Sequence, residues 1–265
     1  MSQICAGAPC HAAGVDAPEC STRSAPAFDT LIGAAVTWQH VIAQAQQIAA
    51  TDQSVLIVGA VGSGRTTLAR AMHGASTRHA APLIELDLQV YYDMAQVAAL
   101  FGADGNGGAW IEAGNGSLLL RSVADGQAIH EALAERLASR TSRVGSRLLV
   151  VVSEALPLPQ AIAAHIPVRL RVPPLRERPG DALLLANYFA DNHPITSPAA
   201  QRLESYDWPE NVAEMRGVVA RAVRLAGDGP IESVHLPEYV RAAPGQSDQR
   251  GVQLPPDGIN LEVVE

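Results

Sequence analysis

The chain has 265 residues, 48% of them hydrophobic and only 4% aromatic, so any core must be built mainly from Ala, Val, Leu and Ile. The formal net charge is −8 and all 19 basic residues are Arg, which makes nucleic-acid binding by bulk electrostatics a poor interpretation. No apolar run approaches the ~20 residues of a membrane span, and residues 1–18 lack the pattern of a secretory signal, so a soluble cytoplasmic protein is expected.

The N-terminal residues 1–27 are rich in Ala, Pro, Ser, Gly and Cys and show no hydrophobic period, which predicts a disordered tail. The cysteines Cys5, Cys10 and Cys20 all lie in it, and His11 follows Cys10. Their spacing matches no metal-site pattern. Free thiols are therefore the favoured interpretation, and a metal or redox cluster is the alternative.

After this tail, helical and strand patterns alternate. Apolar spacing predicts helices over 36–50, 66–73, 94–101 and 129–139. Short runs of β-branched and aliphatic residues predict strands over 54–58, 82–86, 117–120, 147–152 and 168–172. This alternation predicts an α/β fold in which helices sandwich a mostly parallel sheet.

After Pro179 the strand patterns stop. Helices are expected over 181–192, 197–206, 211–226 and 236–240, followed by a Pro-, Gly-, Gln- and Asp-rich stretch. The predicted organisation is a tail (1–27), an α/β subdomain (28–179), a small all-α lid subdomain (180–242) and a linker (243–265).

A glycine-rich turn connects the first predicted strand to the second predicted helix. It runs Gly59, Ala60, Val61, Gly62, Ser63, Gly64, Arg65, Thr66, Thr67. This is the spacing of a phosphate-binding loop, in which glycines let backbone N–H groups surround an anion at a helix N-terminus.

The expected ligand of this loop is ATP or ADP, with Thr66 as a candidate ligand of Mg²⁺. Arg65 stands where Lys is usual, and its planar guanidinium would hold phosphate in a shifted geometry. A glycine-rich turn that binds nothing is the alternative.

Several stretches, in the right order, resemble the central AAA+ domain of sigma-54-dependent transcriptional activators, the bacterial enhancer-binding proteins. They are Leu31–Gly33, Ser54–Thr67, Leu100–Gly102, Gly114–Leu120, Pro173–Asp181 and Tyr206–Glu214. The fifth reads PPLRERPGD and the sixth YDWPENVAE, close to the family's PPLRERPxD and YxWPGNVREL. The resemblance implies a P-loop AAA+ fold with a helical lid, nucleotide binding and a role in regulating transcription.

The same resemblance implies that catalytic positions of the family have changed. The two Walker B acids, which hold magnesium and polarise the attacking water, correspond to Arg121 and Ser122. The Asn that positions the catalytic glutamate corresponds to Asp87. The Thr-Asn pair of the first sensor corresponds to Val152 and Ser153.

Three further family features are changed or absent. Ala213 stands at the second-sensor Arg, with Arg216 as a candidate substitute, and residues 160–168, where the arginine finger is expected, contain no Arg. Only about five residues separate Gly102 from Gly108, where the family has its GAFTGA loop. The tail 251–265 is similar to the linker before the family's helix-turn-helix, and the sequence ends there.

These observations leave several functions open. A regulatory pseudo-ATPase would bind nucleotide and act by associating with an intact AAA+ activator or with itself, without contacting sigma-54, DNA or membrane. A truncated, non-functional relic of an activator is an alternative. A third is an active ATPase that uses Asp87 or Glu85 as magnesium ligand or base. Direct DNA binding is disfavoured, because the run Arg136, Arg140, Arg143 and Arg147 is predicted to be a solvated helix face and loop.

Overall fold

The computed structural model describes residues 28–242 except 93, 104, 106, 124–126, 140–144, 157 and 192. The predicted tail, its three cysteines and the predicted linker lie outside the described residues. The strands are β1 (Val55–Gly59), β2 (Leu83–Asp87), β3 (Ser117–Arg121), β4 (Arg147–Ser153) and β5 (Val168–Val172). The helices are α1 (Val36–Ala49), α2 (Arg65–Gly74), α3 (Met94–Phe101), α4 (Gly108–Glu112), α5 (Gln127–Ala138), α6 (Gln160–Ala163), α7 (Asp181–Ala190), α8 (Ser197–Ser205), α9 (Asn211–Ala226) and α10 (Glu238–Arg241).

The strands form one sheet in the order β2-β3-β4-β1-β5. β3 pairs in parallel with both β2 and β4, and the register places Asp87 opposite Arg121 at the carboxyl ends of β2 and β3. Every residue of β1 is buried, as expected for an inner strand covered on both faces. In the edge strand β5, exposed and buried residues alternate instead, and Arg169 and Arg171 are the exposed ones. The predicted α/β fold with a parallel sheet is confirmed.

The sequence pattern did not predict two short helices. α4 and α6 have 5 and 4 residues, about one helical turn each. One turn is too short to display a 3.6-residue hydrophobic period, and glycine or proline precedes each of them. The pattern therefore predicted loops where the backbone closes a single turn.

The contacts divide the described chain into two compact units. One contains 46–57 and 69–170, and in it α3 packs against α4 and α5. The other contains 28–45, 58–68 and 171–242, and α7, α8 and α9 pack together in it. Trp208 lies in the core of this second unit, where its indole N–H donates to the carbonyl of Leu203 at 2.9 Å. Within the described part of the chain, no helix is long and apolar enough to cross a membrane.

Arg147 is buried, so the prediction that it lies on a solvated surface is wrong. Only 1% of its surface is exposed. Its guanidinium donates to the carbonyls of Ile48, Ala49 and Gln53 at 2.9, 3.3 and 2.9 Å. A helix leaves its last carbonyls unpaired, and a cation there also complements the helix dipole. Arg147 thus satisfies the end of α1 from the first residue of β4.

Arg136 is also more than a solvated side chain. It is half-buried on α5, and its guanidinium lies 5.9 Å from the ring centroids of both Phe101 and Trp110. Contacts of this length are in the range of cation–π attraction. Arg140 and Arg143 lie outside the described residues.

Candidate nucleotide-binding site

The phosphate loop has the backbone conformation that its glycines allow. Gly62 has φ +74° and Gly64 has φ +100°, both in the left-handed region that favours glycine. The amide of Ser63 donates to the carbonyl of Ala60 at 3.3 Å, and the first turn of α2 closes with Leu68 N–H to Gly64 at 3.0 Å. Strand, glycine loop and helix follow one another as the spacing predicted.

Ser63 lies inside this loop. It is 1% exposed, and its Oγ has no hydrogen-bond partner in the described part of the chain. Gly59 packs so closely that a Cβ there would lie 3.2 Å from Ser63 Oγ and 2.7 Å from the carbonyl oxygen of Val172. Buried hydroxyl groups are seldom left unpaired, so Ser63 Oγ is available to a ligand or to water.

The turn before α9 and its first residues, which we call the lid segment (Glu210–Ala213), lie directly on the loop. A Cβ at Gly62 would collide with the carbonyl of Glu210 and approach Ala213 Cβ to 3.0 Å. The amide of Ala213 donates to the Gly62 carbonyl at 3.3 Å. Ala213, which the resemblance assigns to the second-sensor position, therefore contacts the phosphate loop.

Asn211 holds the lid segment in place. Its Nδ2 donates to the carbonyl of Val61 at 2.9 Å, and its Oδ1 accepts from the amide of Leu175 at 2.7 Å. It is 2% exposed and has φ +58°, a conformation that asparagine tolerates better than most residues. One side chain thus connects the phosphate loop to the residue that follows Pro174.

A buried ion pair ties the RERPGD stretch to the start of α1. Arg178 Nε donates to Asp181 Oδ2 at 2.8 Å, and the two side chains are 2% and 0% exposed. Asp181 Oδ1 accepts from the amides of Ala34 and Ala35 at 2.6 and 2.9 Å. The Arg178 guanidinium lies 4.2 Å from the Trp38 ring centroid. This motif therefore has a structural role, because it joins the residues just before α1 to the start of α7.

Arg121 and Asp87, which the resemblance assigns to two changed catalytic positions, form an ion pair with each other. Arg121 Nη2 lies 2.8 Å from Asp87 Oδ2, across neighbouring strands. Asp87 also accepts from the amide of Gln89 at 3.2 Å. The two substitutions are thus complementary in charge, because the carboxylate of Asp87 neutralises the guanidinium of Arg121. Sequence reasoning identified both residues but missed their pairing.

The other carboxylate considered for catalysis is occupied as well. Glu85 binds Arg70 through two hydrogen bonds of 2.6 and 2.7 Å, a bidentate pair. Ser122 has φ +58°, an uncommon backbone conformation for serine. Ser153 ends β4, and its Oγ accepts from the amide of Ala155 at 3.3 Å.

The carboxylates at the end of β2 are poorly placed to hold a divalent cation, because each is already paired with an arginine. Mg²⁺ prefers oxygen ligands, above all carboxylates. The carboxylates of Asp87 and Glu85 form ion pairs with Arg121 and Arg70. Among the described residues, no three His, Cys, Asp or Glu side chains gather to hold a metal. Thr66, half-buried in the first turn of α2, stays a predicted metal ligand only.

Gly102 and Gly107, near the two ends of the α3–α4 connection, lie against each other. The amide of Gly107 donates to the carbonyl of Phe101 at 2.9 Å. Gly102 has φ +80°, and a Cβ there would lie 2.8 Å from the Gly107 amide nitrogen. Backbone contact this close requires glycine at Gly102. The end of α3 and the start of α4 therefore lie close together at Gly102 and Gly107.

Comparison with known protein families gives two matches. Residues 31–153 match the sigma-54 interaction domain, and residues 176–252 match the AAA+ ATPase lid domain. The chain is 30% identical over 268 residues to the transcriptional regulatory protein FlbD of Caulobacter vibrioides, covering 85% of this chain and 58% of FlbD. It is 28% identical over 285 residues to the transcriptional regulatory protein ZraR of Salmonella typhimurium, covering 93% and 64%. The chain thus spans about three fifths of the length of these relatives.

Solved structures with the same fold include NtrX from Brucella abortus in complex with ATP. That structure superimposes with a TM-score of 0.71 at 21% identity, covering 82% of this chain and 58% of NtrX. The NtrX complex with ADP gives a TM-score of 0.70 at 22% identity, covering 84% and 58%.

Proposed function

Because this chain belongs to the family of sigma-54-dependent transcriptional activators, with their AAA+ core, we propose that it is a regulatory domain that binds a nucleotide and has lost efficient hydrolysis. The observation that carries this proposal is the contrast between the phosphate loop and the positions that the resemblance assigns to catalysis. The phosphate loop keeps its glycine geometry, whereas Arg121 and Asp87, at changed catalytic positions, form an ion pair with each other.

Nucleotide binding is supported by the loop itself. Left-handed glycines, the N-terminus of α2 and the unpartnered Oγ of Ser63 together make a surface suited to a phosphate group. Arg65 would add a cation at the first residue of α2. NtrX, which shares the fold, was crystallised with ATP and with ADP.

Loss of hydrolysis is supported by the state of the acidic side chains. In working enzymes of this kind, magnesium bound by acidic residues neutralises charge that develops on the phosphates, and a carboxylate orients the attacking water. Here the carboxylates of Asp87 and Glu85 are engaged by Arg121 and Arg70. Freeing either carboxylate means breaking an ion pair before a water or a cation can be bound.

A role through association is supported by what the chain retains. In the two motifs closest to the family's sequences, Asn211 connects the lid segment to the phosphate loop, and the Arg178–Asp181 pair joins α7 to the residues before α1. The expected partner is an intact AAA+ activator or a second copy of this chain. Contact with sigma-54 is not part of the proposal, because only five residues separate Gly102 from Gly108, where the resemblance implies a longer sigma-54-contacting loop.

The first test is a nucleotide titration with and without Mg²⁺, paired with a phosphate-release assay. We expect ATP and ADP to bind, Arg65→Ala to weaken both by at least about ten-fold, and Arg224→Ala, an exposed arginine on α9, to change neither. Phosphate release should stay at background. Magnesium-dependent release that Arg65→Ala abolishes would establish an active ATPase instead.

The second test addresses the partner. The tagged chain is expected to co-purify with an intact sigma-54 activator from the same cell, and the association should strengthen when nucleotide is added. Failure to associate with every such activator and with itself would contradict the proposed mode of action, whatever the outcome of the nucleotide titration.

A further inference from the structure

Glu210 differs from the family's motif at the point where the lid segment contacts the phosphate loop. The family's WPGN has glycine where this chain has WPEN. The backbone carbonyl of Glu210 lies against Gly62, closer than a Cβ on that glycine would permit. A carboxylate has therefore been added to a residue whose main chain already contacts the loop.

Hydrogen bonds hold the backbone of the lid segment, which carries the Glu210 side chain, in a fixed position. Asn211, the next residue, is buried and bonded to both Val61 and Leu175, and the amide of Ala213 is bonded to Gly62. The side chain of Glu210 itself is exposed and free to sample rotamers. Every rotamer keeps the negative charge within one side-chain length of a fixed backbone.

A second carboxylate reinforces the negative potential at this place. The amide of Glu210 donates to Glu214 Oε2 at 3.1 Å, and the hydroxyl of Tyr206 donates to Glu214 Oε1 at 3.3 Å. Burial, followed by Glu214, raises the pKa of Tyr206 to about 12. Burial is also the largest cause that raises the pKa of Tyr239, and both Glu214 and Glu210 add to it.

The phosphate loop itself carries little positive charge. Among residues 58–68 the only basic side chain is Arg65, and the second-sensor position that contacts Gly62 is Ala213. The loop therefore has one guanidinium of its own, and the residue whose main chain contacts Gly62 carries a carboxylate.

We propose that Glu210 makes this phosphate loop select nucleotides by charge, favouring diphosphates such as ADP over triphosphates such as ATP. The inference rests on the nucleotide binding proposed above and adds the residue that sets its specificity. ATP carries one more ionised phosphate than ADP, so a fixed carboxylate beside the loop repels it more strongly. A unit charge about 8 Å away, at an effective dielectric of about 40 to 80, changes a binding constant by roughly two- to six-fold.

The test compares Mg²⁺-free ATP and ADP titrations of the full chain, wild type and Glu210→Gln. We expect the substitution to raise the affinity for ATP by roughly two- to six-fold more than the affinity for ADP. Glu210→Gly, which restores the family's residue, should shift the ratio in the same way. Glu204→Gln, an exposed charge change on α8, is the matched control and should leave the ratio unchanged.

Salt separates electrostatics from a change in packing. Raising the ionic strength to about 0.5 M should remove most of the difference between wild type and Glu210→Gln. An unchanged ATP-to-ADP ratio in both Glu210 variants, or a shift equally large in Glu204→Gln, overturns the role of Glu210 while leaving nucleotide binding intact. If neither nucleotide binds wild type or any variant, both this inference and the proposed function fall.

Discussion

Restoring the arginine that the family carries at its second-sensor position should strengthen ATP binding. Ala213 lies in the first turn of α9, and its amide nitrogen is 3.3 Å from the carbonyl oxygen of Gly62. The Ala213 side chain is exposed, so a longer side chain has room. In Ala213→Arg, the flexible arginine stem would let the guanidinium reach a phosphate held by the loop.

The size of the effect follows from the charge that is introduced. A guanidinium about 5 Å from one phosphate charge, at an effective dielectric of about 40, gains roughly 1 to 2 kcal/mol, or about 5- to 30-fold in affinity. The structural cost should be small, because arginine is nearly as good a helix former as alanine. The melting temperature of the ligand-free variant should therefore stay close to that of wild type.

The assay is a fluorescence or calorimetric titration with Mg²⁺-free ATP. Ala220→Arg, an exposed alanine seven residues further along α9, adds the same charge to the same helix as a control. Phosphate release should remain at background in both variants, since Asp87 and Glu85 keep their arginine partners. The reasoning is refuted if Ala213→Arg leaves the ATP affinity unchanged, or if Ala220→Arg improves it equally.

Three further predictions concern stability. Asp181→Asn removes the charge that pairs with buried Arg178 and should lower the free energy of unfolding by about 3 to 5 kcal/mol in a denaturant titration, and a loss below 1 kcal/mol would contradict the assigned role. Burial lowers the pKa of His73 from 6.5, so stability should fall as the pH drops below 6.5, where the unfolded chain takes up a proton that the folded chain resists. The slope between pH 7 and 5 should flatten in His73→Gln, and an unchanged slope would assign it to other groups. Arg147→Met removes the guanidinium from three carbonyls, of which Ile48 keeps its bonds from Thr51, and should cost about 3 kcal/mol, whereas a neutral result would mean that water replaces the guanidinium.

Much of the fold could be predicted because its signals are local. The apolar run of β1 and the helical spacing of α9 appear in consecutive residues, and both elements were placed within a residue or two. The phosphate loop was predictable from the spacing of its glycines. One-turn helices such as α4 were missed because a single turn shows no period.

The burial and the partners of polar side chains were less predictable from the sequence. Arg147 was expected in solvent as the last of four arginines on a solvated helix face and loop, yet it is buried and donates to carbonyls at the end of α1. Asp87 and Arg121 were each recognised as changed positions, and their ion pair exists because β2 and β3 lie side by side in register. No pattern within either segment indicates that pairing.

The sequence by itself determined the α/β class, the glycine loop and the family motifs, since each depends on backbone preferences and spacing within a few consecutive residues. The tertiary structure alone decided which polar groups meet. Asn211 binds Val61 across 150 residues of chain, and the same contact brings Glu210 and Ala213 to the phosphate loop. Hydrogen bonds and ion pairs between distant residues depend on how elements pack, because a buried polar group must find its partner wherever the fold brings one within about 3 Å.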